Sequence, residues 1–374
     1  MKLYRTSGLK ECNTHAGSPL HNQLYEAAMS NAKNSGIIRL ILFGAVFLLL
    51  LTAASALSTP VKWFDDNRVQ NRNARITEMM KQEPYTVDVL NMGDSLSLSS
   101  LTPMELWRQK GYTAFNIGAD GIRMPEIYYT VLEAAEDQNV RYLLFETLPL
   151  FRYNDKQDMQ MIISQPLYHR FTFLKYHSIW KPYIEGRGVK IYHKGYLINR
   201  EVQEYEGDPD YMSEELGDVR TEIPDFNRTW FRKVKKFCDE KGIKLILYSD
   251  ASPRNYNWTR VNNIAEFAKE EGVEYIDMNQ HTDEIGINWK TDSNDRGDHM
   301  NLDGVIKMTT FFGDYFSREG ILTDHRGDPD YSSWDEELTA YDKLVDEMEG
   351  ISFYHVQKRI EKERKEEKEK AKEQ

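Results

Sequence analysis

Five short apolar runs, Val87–Met92, Thr113–Ile117, Tyr142–Phe145, Ile243–Tyr248 and Val273–Ile276, are separated by stretches of helical period. That alternation leaves a chain few options. Parallel strands need a crossover, normally a helix, and the crossover is right-handed, so strand–helix repeats build an α/β fold with a parallel sheet covered on both faces. The helical stretches carry one apolar face each. Pro125–Gln138 aligns Ile127, Tyr128, Val131, Leu132 and Ala135, Asp225–Lys241 aligns Trp230, Phe231, Val234 and Phe237, and Thr259–Glu271 aligns Val261, Ile264, Ala265 and Phe267. Thr102–Lys110 is a shorter one.

Ligands of an open parallel sheet bind outside the carboxyl ends of its strands. Ser95 follows the first run, Gly118 and Gly121 the second, Glu146 and Thr147 the third, Ser249 to Ser252 the fourth, and His299 lies beyond the fifth. The polar candidates therefore converge on one edge.

A second feature sets the compartment. From Ile37 to Leu57 only Arg39, near the start, is charged. About 20 apolar residues at ~1.5 Å rise span the hydrocarbon core of a bilayer. Because 36 mostly polar residues come first, the reading is an uncleaved anchor over 37–58. A signal peptide cut near Ala53-Ala54-Ser55-Ala56 is the alternative. Lys2, Arg5, Lys10, Lys33 and Arg39 against Glu11 and Glu26 put a tail of residues 1–36 in the cytoplasm and the rest outside the cell membrane.

The remaining chain divides into a linker over 59–84, a main α/β domain over 85–320 and a helical charged tail over 331–374. An insertion over 151–221 interrupts the alternation. It holds Tyr168, Phe171, Phe173, Tyr176 and Trp180, then Gly186, Gly188 and Gly195, and reads as a helical cap over the site. Most of its aromatics are expected to pack the cap down, with an exposed one left to stack on a sugar ring. The tail begins with an apolar stripe (Leu338, Tyr341, Leu344, Val345, Met348) and becomes almost pure Lys, Arg and Glu after Val356. Cys12 and Cys238 lie on opposite sides of the anchor, so no disulfide between them is expected. A net charge of −12 argues against nucleic acid as a partner.

The chemistry rests on Gly93-Asp94-Ser95-Leu96 after the first run and Asp295-Arg296-Gly297-Asp298-His299 in the last loop. A serine hydroxyl becomes a useful nucleophile when a histidine accepts its proton and a carboxylate fixes the histidine's tautomer. Asp295 is favoured for that last role and Asp298 is the alternative, because adjacent side chains such as Asp298 and His299 project apart. Asp292, Asp295, Asp298 and Asp303 also hint at a calcium loop, but Arg296 interrupts the pattern and no closing Glu follows. No metal and no cofactor is expected.

Gly93-Asp94-Ser95-Leu96, Asn116-Ile117-Gly118-Ala119-Asp120-Gly121 and the late His299 together resemble the signature blocks of the SGNH, or GDSL, hydrolases over Tyr85 to Phe316. The resemblance implies a flavodoxin-like three-layer sandwich around a central five-stranded parallel sheet. It implies Ser95 as nucleophile, and an oxyanion hole from the Gly121 and Ser95 N–H groups. Two departures stand out. The third block, Phe145-Glu146-Thr147-Leu148, lacks the family's Asn, leaving the Thr147 hydroxyl as a substitute donor, and Arg296 holds the place of the Asp three before the His. Glu146 is expected to be a paired structural carboxylate.

With the single span, the chain resembles the anchored extracytoplasmic subgroup that works beside membrane-bound O-acyltransferases, like the accessory proteins of teichoic acid D-alanylation and alginate O-acetylation. The expected function is an acyltransferase or esterase acting on O-acyl groups of a cell-surface or secreted polysaccharide. The alternative is a non-catalytic scaffold or polysaccharide-binding partner of such an acyltransferase.

Overall fold

A computed structural model describes residues 19–58, 72–177, 192–212 and 219–348. The chain divides into two units, Met1–Leu57 and Ser58–Gln374. The described residues of the first belong to one helix, α1 (Pro19–Ser58). Its stretch Ser35–Leu57 is 23 residues long and apolar enough to cross a membrane, and at ~1.5 Å per residue it covers the ~30 Å hydrocarbon core. Its apolar side chains, Leu40, Phe43, Phe47 and Leu49 among them, are exposed. Its hydroxyls are satisfied within the helix: Thr52 Oγ1 donates to the Leu48 carbonyl and Ser55 Oγ to the Leu51 carbonyl, each at 2.8 Å. Such internal bonding is what an apolar medium requires.

The second unit starts earlier than expected. Helix α2 (Ala74–Met79), inside the segment read as a linker, buries Ala74, Ile76 and Met79. Six residues are too few for a helical period to stand out. The strands are β1 (Val89–Met92), β2 (Ala114–Asn116), β3 (Tyr142–Glu146), β4 (Lys244–Ser249) and β5 (Glu274–Asp277). They form one all-parallel sheet in the order β2-β1-β3-β4-β5. This is the flavodoxin-type order, whose reversal next to β1 opens a crevice at the carboxyl ends of the strands.

The connecting helices are α3 (Pro103–Lys110), α4 (Met124–Ala134), α5 (Asp155–Arg170), α6 (Thr172–Tyr176), α7 (Asp225–Lys241), α8 (Trp258–Glu271), α9 (Thr282–Ile285), α10 (Leu302–Glu319) and α11 (Ser332–Glu347). Strand alternation sorts them into two layers. Phe145 of β3 meets Phe231 of α7 edge-on, and Phe231 meets Phe267 of α8. Tyr142, three residues earlier on β3, points to the other side and meets Phe316 of α10, as Tyr248 of β4 meets Phe312. Odd spacing on a strand reverses the face, so α7 and α8 cover one side and α10 the other.

Helix α11 belongs to the domain rather than to a separate tail. Its Trp334 is fully buried 5.6 Å from the Trp107 ring of α3, and Trp107 Nε1 donates to Asp335 at 2.9 Å. The apolar stripe of α11 is what docks it, with Tyr341 and Met348 also buried. The charged stretch after Val356, the first 18 residues with Cys12, and Trp180, Gly186 and Gly188 of the insertion lie outside the described residues.

Candidate active site

The loop after β1 is fixed from below by side chains of three strands. Asn91 Nδ2 donates to the Ser97 carbonyl at 2.7 Å and to Asn116 Oδ1 of β2 at 3.1 Å, and the Tyr248 hydroxyl of β4 donates to Asn91 Oδ1 at 2.8 Å. Gly118 lets the second loop lie directly on the first: a Cβ there would stand 2.3 Å from Ser97 Oγ and 2.7 Å from the Gly93 carbonyl oxygen. Ser95, half-buried, sits on this tightly packed turn.

His299 is held by an unusual turn. Arg296 (φ +65°) and Gly297 (φ +86°) are both left-handed. A side chain at Gly297 would also collide with Tyr205 at 2.7 Å and Pro253 at 2.9 Å, so only glycine fits there. The turn carries Asp295 back onto His299. Asp295 Oδ2 lies 2.6 Å from His299 Nδ1, and Oδ1 accepts the His299 backbone N–H at 2.6 Å. Asp298 is more distant, with Oδ1 3.7 Å from Nδ1 and already accepting from Asn255 Nδ2 at 2.5 Å. With Nδ1 bonded to a carboxylate, the acceptor of a neutral ring is Nε2, and that atom is buried without a hydrogen-bond partner.

The electrostatics follow from those contacts. Burial is the largest single influence and opposes charge on both groups, but their hydrogen bonding and charge attraction together outweigh it. Asp295 is held below the usual carboxylate range by the His299 side-chain and backbone donors. His299 is raised above an ordinary histidine by Asp295, with Asp298 and Asp250 adding to the pull.

Ser95 and His299 line one cleft of about 520 Å³, within the range of small-ligand sites. Arg72, Arg75, Ala119, Asp120, Tyr192 and Asn199 share its walls. Of the anticipated oxyanion donors, Gly121 and Thr147 are not among the residues lining that cleft. Gly121 (φ +58°) lines a neighbouring cleft of about 550 Å³. Thr147 is fully buried, its hydroxyl 2.9 Å from both the Ser249 and Tyr256 hydroxyls.

The insertion shapes the site in an unforeseen way. Its helix α5 packs on α4, and Gln157, Gln160 and Tyr168 of α5 line the neighbouring cleft. Its later segment forms the wall beside Ser95 with Tyr192, Tyr196, Leu197 and Asn199. The same segment braces the histidine loop: Gln203 N–H donates to the Ser293 carbonyl at 2.8 Å, Arg296 N–H to the Gln203 carbonyl at 3.1 Å and Leu302 N–H to the Asn199 carbonyl at 2.7 Å.

Three buried carboxylates lie at the ends of β1, β3 and β4. Asp94 accepts from Arg152 Nη2 at 2.6 Å. Glu146 has no cationic partner among the described residues, correcting the expectation of a paired carboxylate. It accepts from the Tyr256 hydroxyl and the Leu148 N–H, and its Oε2 has no partner. Burial pushes its pKa well up, and Asp94 adds to that. Asp250, fully buried with both oxygens lacking a well-placed donor, is also raised by burial, against the pull of nearby His299. Sequence reasoning passed over Asp250 within Ser249–Ser252. Its place directly after a strand at the functional edge was the available signal.

The aspartates resembling a calcium loop are otherwise engaged. Asp292 Oδ2 accepts from Lys307 Nζ at 2.6 Å, and Asp303 lies in the first turn of α10. Among the described residues only Asp295, Asp298 and His299 cluster with metal-ligand spacing. Asp295 and Asp298 are the groups already committed to His299 and Asn255. No protein-family model matches the chain, and neither does any curated protein.

Proposed function

We propose that this protein is a membrane-anchored serine acyltransferase or esterase in which Ser95 attacks an ester carbonyl. The observation that carries the reading is the polarised imidazole. Asp295 occupies Nδ1 of His299, Nε2 is unpartnered, and Ser95 shares the cleft with that ring. In this mechanism Nε2 takes the Ser95 proton as Oγ bonds to the carbonyl carbon. The tetrahedral intermediate collapses when Nε2 returns the proton to the departing alcohol oxygen. The acyl-enzyme then passes its acyl group to a sugar hydroxyl or to water, with His299 again the base. The Ser95 backbone N–H, on a turn fixed by Asn91, is the oxyanion donor this reading retains.

The acceptor in this reading is a cell-surface or secreted polysaccharide. Support comes from the amide-rich neighbouring cleft with Gln157, Gln160, Gln165 and Tyr168, suited to sugar hydroxyls, and from the SGNH-like motifs. The apolar helix and the basic bias before it favour an extracytoplasmic domain, and the resemblance to the anchored subgroup supplies a membrane-bound O-acyltransferase as its partner in this reading. A scaffold without catalysis is the second reading. It is favoured by the commitment of the Thr147 hydroxyl to Ser249 and Tyr256, which leaves the oxyanion hole short of a side-chain donor.

A serine-reactive fluorophosphonate tests the proposal on the full chain in detergent. Labelling is expected at Ser95, abolished in Ser95→Ala and reduced at least ~10²-fold in His299→Gln, a loss on the scale of a general base. Absence of labelling in folded protein between pH 6 and 9 leaves the scaffold reading.

A further inference from the structure

The cleft holds two guanidinium groups in very different states. Arg72 is neutralised: Nε and Nη2 form a two-point pair with the Glu126 carboxylate, and Nη1 bonds the Asp120 carbonyl oxygen. Arg75 has no such partner. Its Nε donates to the Gly195 carbonyl oxygen at 2.8 Å and its guanidinium lies 4.7 Å over the Tyr192 ring. Among the described residues no carboxylate forms an ion pair with it. Asp120 shares the wall, but its side chain is exposed and makes no ion pair with Arg75 either. Glu78, the other nearby acid, is buried and carries a pKa raised to about 8, so at neutral pH it is largely uncharged.

Arg75 is therefore a half-buried fixed cation lining the cleft that Ser95 and His299 also line, in a chain of net charge −12. A guanidinium stays charged in a protein and presents its N–H groups as a planar fork that matches oxyanion geometry. Its Nε and one face of the guanidinium are spent on Gly195 and Tyr192, which fix its orientation. With a neutral substrate this partly desolvated cation would keep only the through-space pull of the exposed Asp120 carboxylate and no ion pair, at a cost.

We propose that Arg75 binds an oxyanion of the substrate, a carboxylate or a phosphoester, while the neutral ester is presented to Ser95. The proposal deepens the acyl-transfer reading by assigning the substrate a negative group within one cleft's reach of the reacting carbonyl. It sets Arg75, and not the compensated Arg72, as the residue that selects for that charge.

Equilibrium binding to the full-length Ser95→Ala protein tests this without relying on turnover. Saturation-transfer NMR with glucuronate against glucose, and with glycerol 1-phosphate against glycerol, distinguishes carboxylate from phosphoester. At least one anion is expected to bind ~10-fold or more tighter than its neutral counterpart. Adding Arg75→Gln is expected to erase that preference, Arg75→Lys to retain part of it, and Arg72→Gln to change it less than Arg75→Gln. Thermal unfolding establishes that each variant is folded. Equal binding of anion and neutral compound overturns the proposal, as does an unchanged preference in folded Arg75→Gln. The preference in the parent protein is informative even where that variant does not fold. Fluorophosphonate labelling of Ser95 in Arg75→Gln reads the serine separately, so loss of the anion site and loss of the nucleophile are distinct results.

Discussion

Asp295 grips His299 at two points, side chain to Nδ1 and side chain to backbone N–H, both at 2.6 Å. The double contact fixes ring position and tautomer together. Removing the negative charge while keeping the shape, as in Asp295→Asn, leaves a group that can donate to Nδ1 and so reverse the tautomer. By the behaviour of Ser-His-Asp triads a loss of about 10⁴-fold in the rate of Ser95 modification is expected, measured by fluorophosphonate labelling kinetics.

The same pair sets a pH dependence. In the proposed mechanism His299 is a base only when neutral, and its pKa is raised above the ordinary ~6.5 by the Asp295 contact. Labelling of the wild-type protein is therefore expected to rise with pH through a midpoint above ~6.5. In Asp295→Asn the residual rate is expected to titrate at lower pH, because the carboxylate that favoured the imidazolium is gone. A midpoint that stays put in the variant would remove Asp295 from the role.

Asp298 offers the contrast. Its carboxylate stands 3.7 Å from Nδ1 and accepts from Asn255. Asp298→Asn is expected to change the labelling rate by less than ~10-fold, since only a weaker charge–charge interaction is lost. A loss as large as that of Asp295→Asn would exchange their roles.

The order of strands and of polar edge residues was legible because it depends on local periodicity. All five expected runs overlap the observed strands, and Asp225–Lys241 matches α7 at both ends. The preference for Asp295 over Asp298 came from the divergence of neighbouring side chains; in the loop Asp295 Oδ2 lies 2.6 Å and Asp298 Oδ1 3.7 Å from His299 Nδ1. What was not legible depends on tertiary contact. Arg72 and Arg75 precede β1, in a segment too short and too polar to announce a helix, yet the chain returns them to the Ser95 cleft. Asp250 gains its meaning only from burial beside His299. The bracing of 293–302 by 199–203 uses backbone hydrogen bonds, which leave no pattern in side-chain identity.

Gly297 supplies a test of the loop itself. Its φ of +86° and its contacts with Tyr205 and Pro253 leave no room for a methyl group. Gly297→Ala is expected to cost ~1–3 kcal/mol by strain and displacement of the turn. If the turn serves mainly to deliver Asp295 to His299, labelling of the folded variant falls together with its thermal stability. A variant with unaltered labelling would show that the Asp295–His299 pair forms without this backbone geometry.

Glu78 gives the last expectation, and it concerns stability rather than chemistry. The side chain is buried; Oε1 is 3.4 Å from the Gly195 N–H and Oε2 has no partner. Burial, reinforced by Glu337, raises its pKa to about 8, against the opposing charges of Lys194 and Arg75. In the unfolded chain the same group ionises near ~4.3. Between those values the folded state holds one more proton than the unfolded state, so this group makes stability fall as pH rises from ~4.3 to about 8 and level off above it. The full span corresponds to a few kcal/mol, at ~1.4 kcal/mol per pH unit. Glu78→Gln keeps a carbonyl for Gly195 and abolishes the titration. Chemical unfolding of the full chain at pH 5 and at pH 8 is expected to show a smaller loss of stability in the variant than in the wild type. Equal losses in the two proteins would mean that Glu78 finds compensation for its charge in the fold.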